Sequence, residues 1–212
     1  MEETERKIII AAREEFIRVG LKGARMQDIA DRAGVNKALL HYYFRTKEKL
    51  YEASIREIAE TLWGTIGRDI LSFGKVPDLQ SYLRLFVTGY IKTMSENPLF
   101  IRLVIREIAD GGAVIPKLVE KLISTIGTLP RGIIFAIEQE ISKGTIKNLD
   151  PIQIFLNLMG MCLVTFIIQP VVESLAGQYD LKITFDEEYY KKRIDCIIET
   201  IFHGIMIKEP EK

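Results

Sequence analysis

The sequence of 212 residues is poor in the side chains that bind metals, with only two cysteines and two histidines. Cys162, Cys196, His41 and His203 lie too far apart along the chain to match the usual zinc-binding spacings. The sequence also lacks a glycine-rich phosphate loop and the Gly-x-Ser-x-Gly turn of serine hydrolases. We therefore expect no metal, no cofactor and no enzymatic activity.

Signals for export or membrane insertion are also absent from the sequence. The first residues are acidic and polar, which is unlike a secretory signal. The longest apolar segment, residues 152–172, has no flanking cluster of Lys or Arg and contains several residues that disfavour a membrane span, namely Gln153, Asn157, Thr165, Gln169 and Pro170. We expect a cytoplasmic protein in which this segment is a buried helix.

The two cysteines both lie in apolar helical patterns. Free cysteine is among the most buried residue types, and disulfides are rare in the cytoplasm. We interpret Cys162 and Cys196 as reduced core thiols, with a redox sensor or a disulfide as the alternatives.

Charge is unevenly distributed, although the whole chain is neutral. Residues 1–50 hold 11 Lys and Arg against 8 Asp and Glu, so the rest of the chain is mildly acidic. This basic N-terminal segment, attached to an acidic remainder, is suited to contact phosphate groups.

Helical periodicity runs through the whole sequence, which predicts an all-α fold. Caps and breakers place helices at residues 4–19, 26–33, 36–44, 47–73, 79–96, 98–109, 115–143 (interrupted near Pro130), 151–176 and 186–207. The first three form a compact head, and the long fourth helix joins the head to the rest. We therefore predict two domains, 1–46 and 47–212.

The second and third predicted helices have the features of a helix-turn-helix. Gly34 occupies the turn, where a positive φ is cheap only for glycine. Apolar residues on the inner side of the turn pack the corner, whereas hydrogen-bonding groups around the small Ala38 begin the outer side of the third helix. In a helix-turn-helix the second of the two helices lies in the DNA major groove, so this pattern favours DNA binding.

Residues 8–51 resemble the head of the TetR family of bacterial transcription regulators. The matching residues are Ile8, Ala11, Ala12, Phe16, Gly20, Asp28-Ile29-Ala30, Ala33-Gly34-Val35 and the run from Lys37 to Tyr51. The resemblance implies a three-helix DNA-binding head, a helical ligand-binding body, and a homodimer joined through the last two long helices.

The resemblance also assigns DNA-binding roles by position. It implies that Lys37 and Ala38 meet base edges and that Lys47 binds phosphate, which agrees with the affinity of a helix N-terminus for anions. Arg25 stands where a capping Thr is common and could still pair with phosphate. The predicted DNA-binding set is Arg25, Asn36, Lys37, Ala38, His41, Tyr42, Tyr43 and Lys47. The alternatives are solvated lysines, a bystander His41 and a core role for Tyr43.

The interior of residues 79–173 is predicted to hold a cavity for a small, mostly apolar effector. Polar or aromatic groups on apolar faces are the candidates for lining it, with ordinary core or surface positions as the alternative: Tyr90, Arg106, Phe135, Gln139, Asn157 and Met161.

An apolar stripe on the last predicted helix indicates a dimer seam, with core packing as the alternative: Tyr190, Ile194, Ile197, Ile198, Ile201 and Ile205. Together these features predict a ligand-responsive regulator, a repressor that binds a palindromic operator as a homodimer. A helical adaptor without DNA binding and an activator remain as alternatives.

Overall fold

A computed structural model describes residues 3–72, 78–112, 114, 116, 120, 129–179 and 182–206 of the chain, without the side chains at 58–59, 61–63, 65–66, 68–72 and 129–131. Over these residues the chain is all-α, as predicted, apart from an isolated antiparallel bridge between Ile146 and Met206. The helices are α1 (Glu3–Gly23), α2 (Met26–Ala33), α3 (Lys37–Tyr43), α4 (Lys47–Ser72), α5 (Leu79–Glu96), α6 (Pro98–Ala109), α7 (Leu129–Ser142), α8 (Pro151–Ile167), α9 (Gln169–Gln178) and α10 (Glu187–Ile205).

Helix ends follow the local signals in the sequence. α2, α5 and α6 have the predicted bounds, and α10 begins one residue after its cap, Asp186, whose carboxylate accepts from the Tyr189 amide at 2.9 Å. Gly20 was predicted to stop the first helix, and its φ of 72° interrupts helical geometry there before one further turn to Gly23. Residues 115, 117–119 and 121–128 of the helix predicted at 115–143 lie outside the described residues, and α7 contains the last part of that prediction.

The single helix predicted at 151–176 is wrong, because the segment forms two helices. α8 ends at Ile167 and α9 begins at Gln169, with a bend of 49° between them. Pro170 explains the break, because its ring nitrogen has no hydrogen to donate and its ring would collide with the carbonyl of Phe166 in a continuous helix. Among the described helices none is long and apolar enough alone to cross a membrane, and this bent pair meets only the length and composition criteria.

Two compact units divide the chain. The first comprises Met1–Thr61 and Asn97–Thr125, and the second comprises Leu62–Glu96 and Ile126–Lys212. The predicted functional boundary at residue 46 is a different kind of division and stays a prediction. The first unit retains the beginning of α4 and also contains α6, which packs against α1.

The core of the first unit joins the three-helix head to the start of α4. Phe16 of α1 is fully buried and meets the ring of Tyr51 of α4 edge to face, with 4.8 Å between ring centroids. Arg13 of α1 extends this contact, because its Nε donates to the Ser54 carbonyl oxygen at 2.8 Å and its guanidinium pairs with Glu57 at 2.6 Å. The head is thereby fixed to the first turns of α4.

The second unit is built on α5, which packs against α7, α8 and α10. The apolar stripe predicted as a dimer seam contributes largely to this core: Ile197, Ile198, Ile201 and Ile205 are buried within the chain. Interpreting these four residues as a seam is therefore wrong, because α5 and α8 already cover that side of α10. The prediction of two core thiols is wrong for Cys196, which is exposed, and correct for Cys162.

Candidate nucleic-acid interface

The turn between α2 and α3 is fixed by backbone and side-chain caps. Gly34 has a φ of 68°, its amide donates to the Asp31 carbonyl at 3.2 Å, and the Val35 amide donates to the Ala30 carbonyl at 3.0 Å. Asn36 then caps α3, accepting from the Leu39 amide at 2.7 Å. Because both ends of the turn are tied, the start of α3 is held in one direction.

The outer side of α3 is free of the head's core. Lys37, Ala38, His41 and Tyr42 are all exposed, and Tyr42 keeps 79% of its surface. Their spacing of one, three and four residues places them on one side of the helix, opposite the buried Leu40. The helix thus presents one ammonium, one imidazole and one phenol around a small residue, a set suited to base edges and phosphates.

Lys47 is placed at the start of α4, but its ammonium already has partners. Its Nζ donates to the Ala24 carbonyl at 3.0 Å and to the Lys22 carbonyl at 3.2 Å, which joins α4 to the end of α1. An ammonium group has three hydrogens, so one stays available to a phosphate. The sequence showed the position of this lysine but not its second role as a link within the head.

Arg25 occupies the cap position of α2 and is exposed. It makes no side-chain cap, and no other described side chain supplies one there. Thr46 does cap α4, because its Oγ1 accepts from the Lys49 amide at 3.2 Å. Tyr43 is half-buried between the exposed face and the core, and its ring meets that of Tyr42 edge to face at 5.4 Å.

The head of the chain matches a family model described as bacterial regulatory proteins, tetR family, over residues 8–54. The chain is also similar to the transcriptional regulator RutR of Escherichia coli, with 26% identity over 198 residues that cover 93% of this chain and 88% of RutR. Residues 8–54 are thus assigned to the TetR family. The chain is a DNA-binding transcription regulator, and the proteins it resembles are regulators rather than enzymes.

Other similarities agree with this assignment. The transcriptional activator FasR of Mycolicibacterium smegmatis is 41% identical over 56 residues, which cover 26% of each chain. A TetR-family regulator of Marinobacter aquaeolei has the same fold, with a TM-score of 0.70 at 16% identity, covering 97% of this chain and 96% of that one. The hemolysin II regulator HlyIIR has a TM-score of 0.63 at 20% identity, covering 97% and 98%.

The predicted effector-binding residues do not come together as one group. Arg106 belongs to the first compact unit, where it pairs with Asp110 at 3.1 Å and lies in a cleft beside Gly20. Phe135, 60% exposed, and Gln139 lie on the surface of α7, and Asn157 lies on the surface of α8. Met161 is half-buried, and Tyr90 alone of the six is buried.

Glu107, which the sequence did not single out, forms a buried hydrogen bond with Tyr51 in the first unit. Glu107 is buried in the first unit and accepts from the Tyr51 hydroxyl at 2.7 Å and from the Val114 amide at 2.6 Å. Burial first, and this hydrogen bond second, raise the pKa of Tyr51. Among the described residues no group of three or more His, Cys, Asp and Glu side chains is arranged to hold a metal ion.

Proposed function

We propose that this chain is a ligand-responsive repressor that binds a palindromic operator as a homodimer and releases it when a small, mostly apolar effector binds. Residues 1–46 would bind DNA, and residues 47–212 would bind the effector and dimerise. Because the partner is DNA, the proposed location is the cytoplasm. The observation that carries the proposal is the exposed outer face of α3, which the head's core leaves entirely available.

Operator reading by α3 is supported by what surrounds that face. The base-reading candidates Lys37 and Ala38 directly follow the Asn36 cap, so they lie at the N-terminal end of the helix, the end that enters the major groove in helix-turn-helix proteins. Lys47 and Arg25 flank the face at the starts of α4 and α2, where free amides and positive charge suit phosphate.

A homodimer is supported by apolar side chains that the described part of the chain leaves uncovered. They follow one face of α8 and continue along α9: Ile152, Leu156, Val164, Ile167, Val171 and Leu175. A soluble monomer rarely exposes so many apolar residues along one face, whereas an isologous dimer buries the same face of both copies. A two-fold dimer presents its two α3 helices symmetrically, which suits a palindromic operator with half-sites about 34–36 Å apart or a multiple of that distance.

Effector release is supported by the course of α4. Its first part is held in the first compact unit by Arg13 and Tyr51, and the remainder of the helix belongs to the second unit. A shift of α4 on effector binding would therefore reposition the head. A coupling free energy of about 1–3 kcal/mol would weaken operator binding about 5- to 150-fold.

The proposal assigns repression, and activation is the alternative. FasR, which matches about a quarter of the chain, is named an activator. A DNA-binding head of this kind can belong to a repressor or to an activator. Promoter fusions of the operator to a reporter gene, with and without the chain, decide it: repression is the expected result.

The central experiment measures binding to the DNA upstream of the chain's own gene by fluorescence anisotropy. Lys37→Ala should relax preference at one operator position by about 1–3 kcal/mol, because one base contact is lost. Lys7→Ala is the matched control, since Lys7 is exposed on α1, away from α3, and pairs with the exposed Glu3. A chain that ignores every duplex would leave the adaptor hypothesis instead, and unchanged preference in Lys37→Ala would remove Lys37 from the base-reading set.

A further inference from the structure

α5 carries three aromatic side chains on one side, toward the interior of the second unit. Tyr82, Phe86 and Tyr90 are four residues apart, so they follow one face of the helix. The Phe86 ring lies 6.3 Å from that of Tyr90 and 6.1 Å from that of Phe155 in α8. Tyr82 points at α7, where its hydroxyl lies so close to Gly132 that a Cβ there would clash with it.

The two phenol hydroxyls on this face have no hydrogen-bond partner among the described residues. Tyr82 keeps only 8% of its surface and Tyr90 only 6%, yet neither hydroxyl donates to or accepts from any described residue. Every described side-chain oxygen or nitrogen that has no accessible surface does have a partner. The two hydroxyl oxygens must therefore keep accessible surface, and each reaches open space from a side chain that is more than nine-tenths buried.

The surroundings of these hydroxyls contain no buried charge. Among the described residues of the second unit, the buried polar side chains are Thr93 and Thr165, whereas all the buried charged ones belong to the first unit. Arg193 is half-buried and bonds to neutral groups only, the Thr165 hydroxyl at 2.9 Å and the Met161 carbonyl at 3.0 Å. Burial raises the pKa values of Tyr90 and Cys162, which keeps both groups protonated and neutral near pH 7.

We infer that the space reached by the Tyr82 and Tyr90 hydroxyls is a binding site for an uncharged, largely apolar molecule that carries a hydrogen-bond acceptor such as a carbonyl oxygen. A cation would lose its hydration without a described counter-charge to replace it, and a carboxylate would have to compete for the Arg193 guanidinium with the two neutral oxygens that it already binds. The carbonyl oxygen of a ligand can accept from a tyrosine hydroxyl that has no other acceptor among the described residues. The aromatic face of α5 supplies the contact for the apolar part of the ligand. The inference rests on the proposed effector-dependent function and names the chemical class of the effector.

The length of the ligand decides which hydroxyls it meets. Eight residues of helix separate Tyr82 from Tyr90, which is about 12 Å at about 1.5 Å per residue. A ligand with one acceptor can accept from either phenol, whereas meeting both takes a longer ligand with two acceptors spaced along the helix.

The test uses the full chain and isothermal titration with three scaffolds of increasing size: acetophenone, benzophenone and 2-decanone. Each ketone is compared with its matched hydrocarbon, carboxylate and ammonium compounds. The expected result is that at least one ketone binds, with Kd about tenfold or more below those of its charged analogues. No binding by any ketone, or tighter binding by a carboxylate or ammonium analogue, overturns the inference.

Two variants separate hydrogen bonding from packing. Tyr82→Phe and Tyr90→Phe keep the ring and remove only the hydroxyl, so at least one of them should weaken ketone binding about 5- to 10-fold and leave hydrocarbon binding unchanged. Tyr179→Phe is the control, because Tyr179 is exposed on the surface. Equal effects on ketone and hydrocarbon, or no effect of either variant, contradict the assigned role.

Failure of this inference can be told apart from failure of the proposed function. The same preparation is assayed for operator binding by anisotropy. A chain that binds the operator but prefers charged probes, with the preference lost in Arg193→Gln, has an effector of another class. A chain that binds neutral ketones but no DNA contradicts the proposed function instead.

Discussion

At the scale of single residues, Lys47 has two functions that one substitution will reveal together. In Lys47→Ala we expect weaker binding to all DNA sequences alike, because a phosphate contact carries no sequence information. Loss of one neutralised phosphate should make the log–log dependence of affinity on salt shallower by about 0.9. Anisotropy titrations on operator and random duplexes at several salt concentrations measure both effects.

The same ammonium donates to two carbonyls inside the head, so stability is measured in parallel. Urea unfolding of Lys47→Ala and of the control Lys7→Ala shows how much of any loss in affinity comes from a weakened head. A change in which sequence is preferred, rather than a uniform loss, contradicts the phosphate assignment.

The two cysteines differ in burial, and we expect them to differ in reactivity. Cys162 is buried, which raises the pKa of its thiol to about 12, whereas Cys196 is exposed. Because alkylation requires the thiolate and access to it, iodoacetamide at pH 8 should label Cys196 alone in the folded protein and both residues in urea. Mass spectrometry of peptides reads the labelling, and modification of folded Cys162 contradicts the prediction.

The raised pKa of Cys162 also gives a direction for stability at high pH. The unfolded chain loses this proton near the ordinary value of 9.0, whereas the folded chain holds it up to about 12. This contribution to stability is therefore complete below pH 9 and is lost as the pH rises toward the folded value. Cys162→Ala removes the contribution and provides the comparison.

At the scale of elements, the hydrogen bond from Tyr51 to Glu107 ties α4 to α6 within the first unit. Tyr51→Phe keeps the ring against Phe16 but leaves the buried carboxylate with one fewer donor. We expect the free energy of unfolding to fall by about 1–3 kcal/mol, the usual cost of leaving a buried polar group unpaired. Urea unfolding followed by circular dichroism measures it.

Tyr179→Phe is the control for this prediction, since the Tyr179 side chain is exposed and its loss of a hydroxyl should change stability little. Equal stability of Tyr51→Phe and the unmodified chain would show that the carboxylate finds another donor, such as water, when the phenol is removed.

At the scale of the whole molecule, the uncovered face of α8 and α9 is the proposed contact between two copies. Leu156, 54% exposed, lies in the middle of α8 on that face. Leu156→Asp would place a carboxylate on each side of the two-fold contact, so we expect monomers in sedimentation velocity. Operator affinity should then fall at least about tenfold, because one molecule no longer delivers two heads.

Ile108→Asp is a matched control, because Ile108 on α6 is 55% exposed and lies on another unit. It should leave the assembly dimeric. Dimers of Leu156→Asp with unchanged affinity would move the proposed contact away from α8.

The head is the part that the sequence predicts best, because its signals are local. Gly34 and Asn36 set the turn through their own backbone and side chain, so α2 and the start of α3 could be read from neighbouring residues. The effector-binding residues were harder to predict, because their burial depends on contacts with other helices. Tyr90 is buried as expected, whereas Phe135 is exposed. The sequence did not single out Tyr82, whose buried position depends on its contact with Gly132 in another helix.

The sequence by itself determined where helices begin and end and which residues share a helix face, because periodicity and caps act over a few residues. Tertiary structure decided which face another helix covers. It buried four of the six residues in the apolar stripe of α10 and left that of α8 exposed, and it buried Glu15 at 1% beside Arg18 and Arg32. Burial depends on neighbours distant in the chain, and no local pattern contains that information.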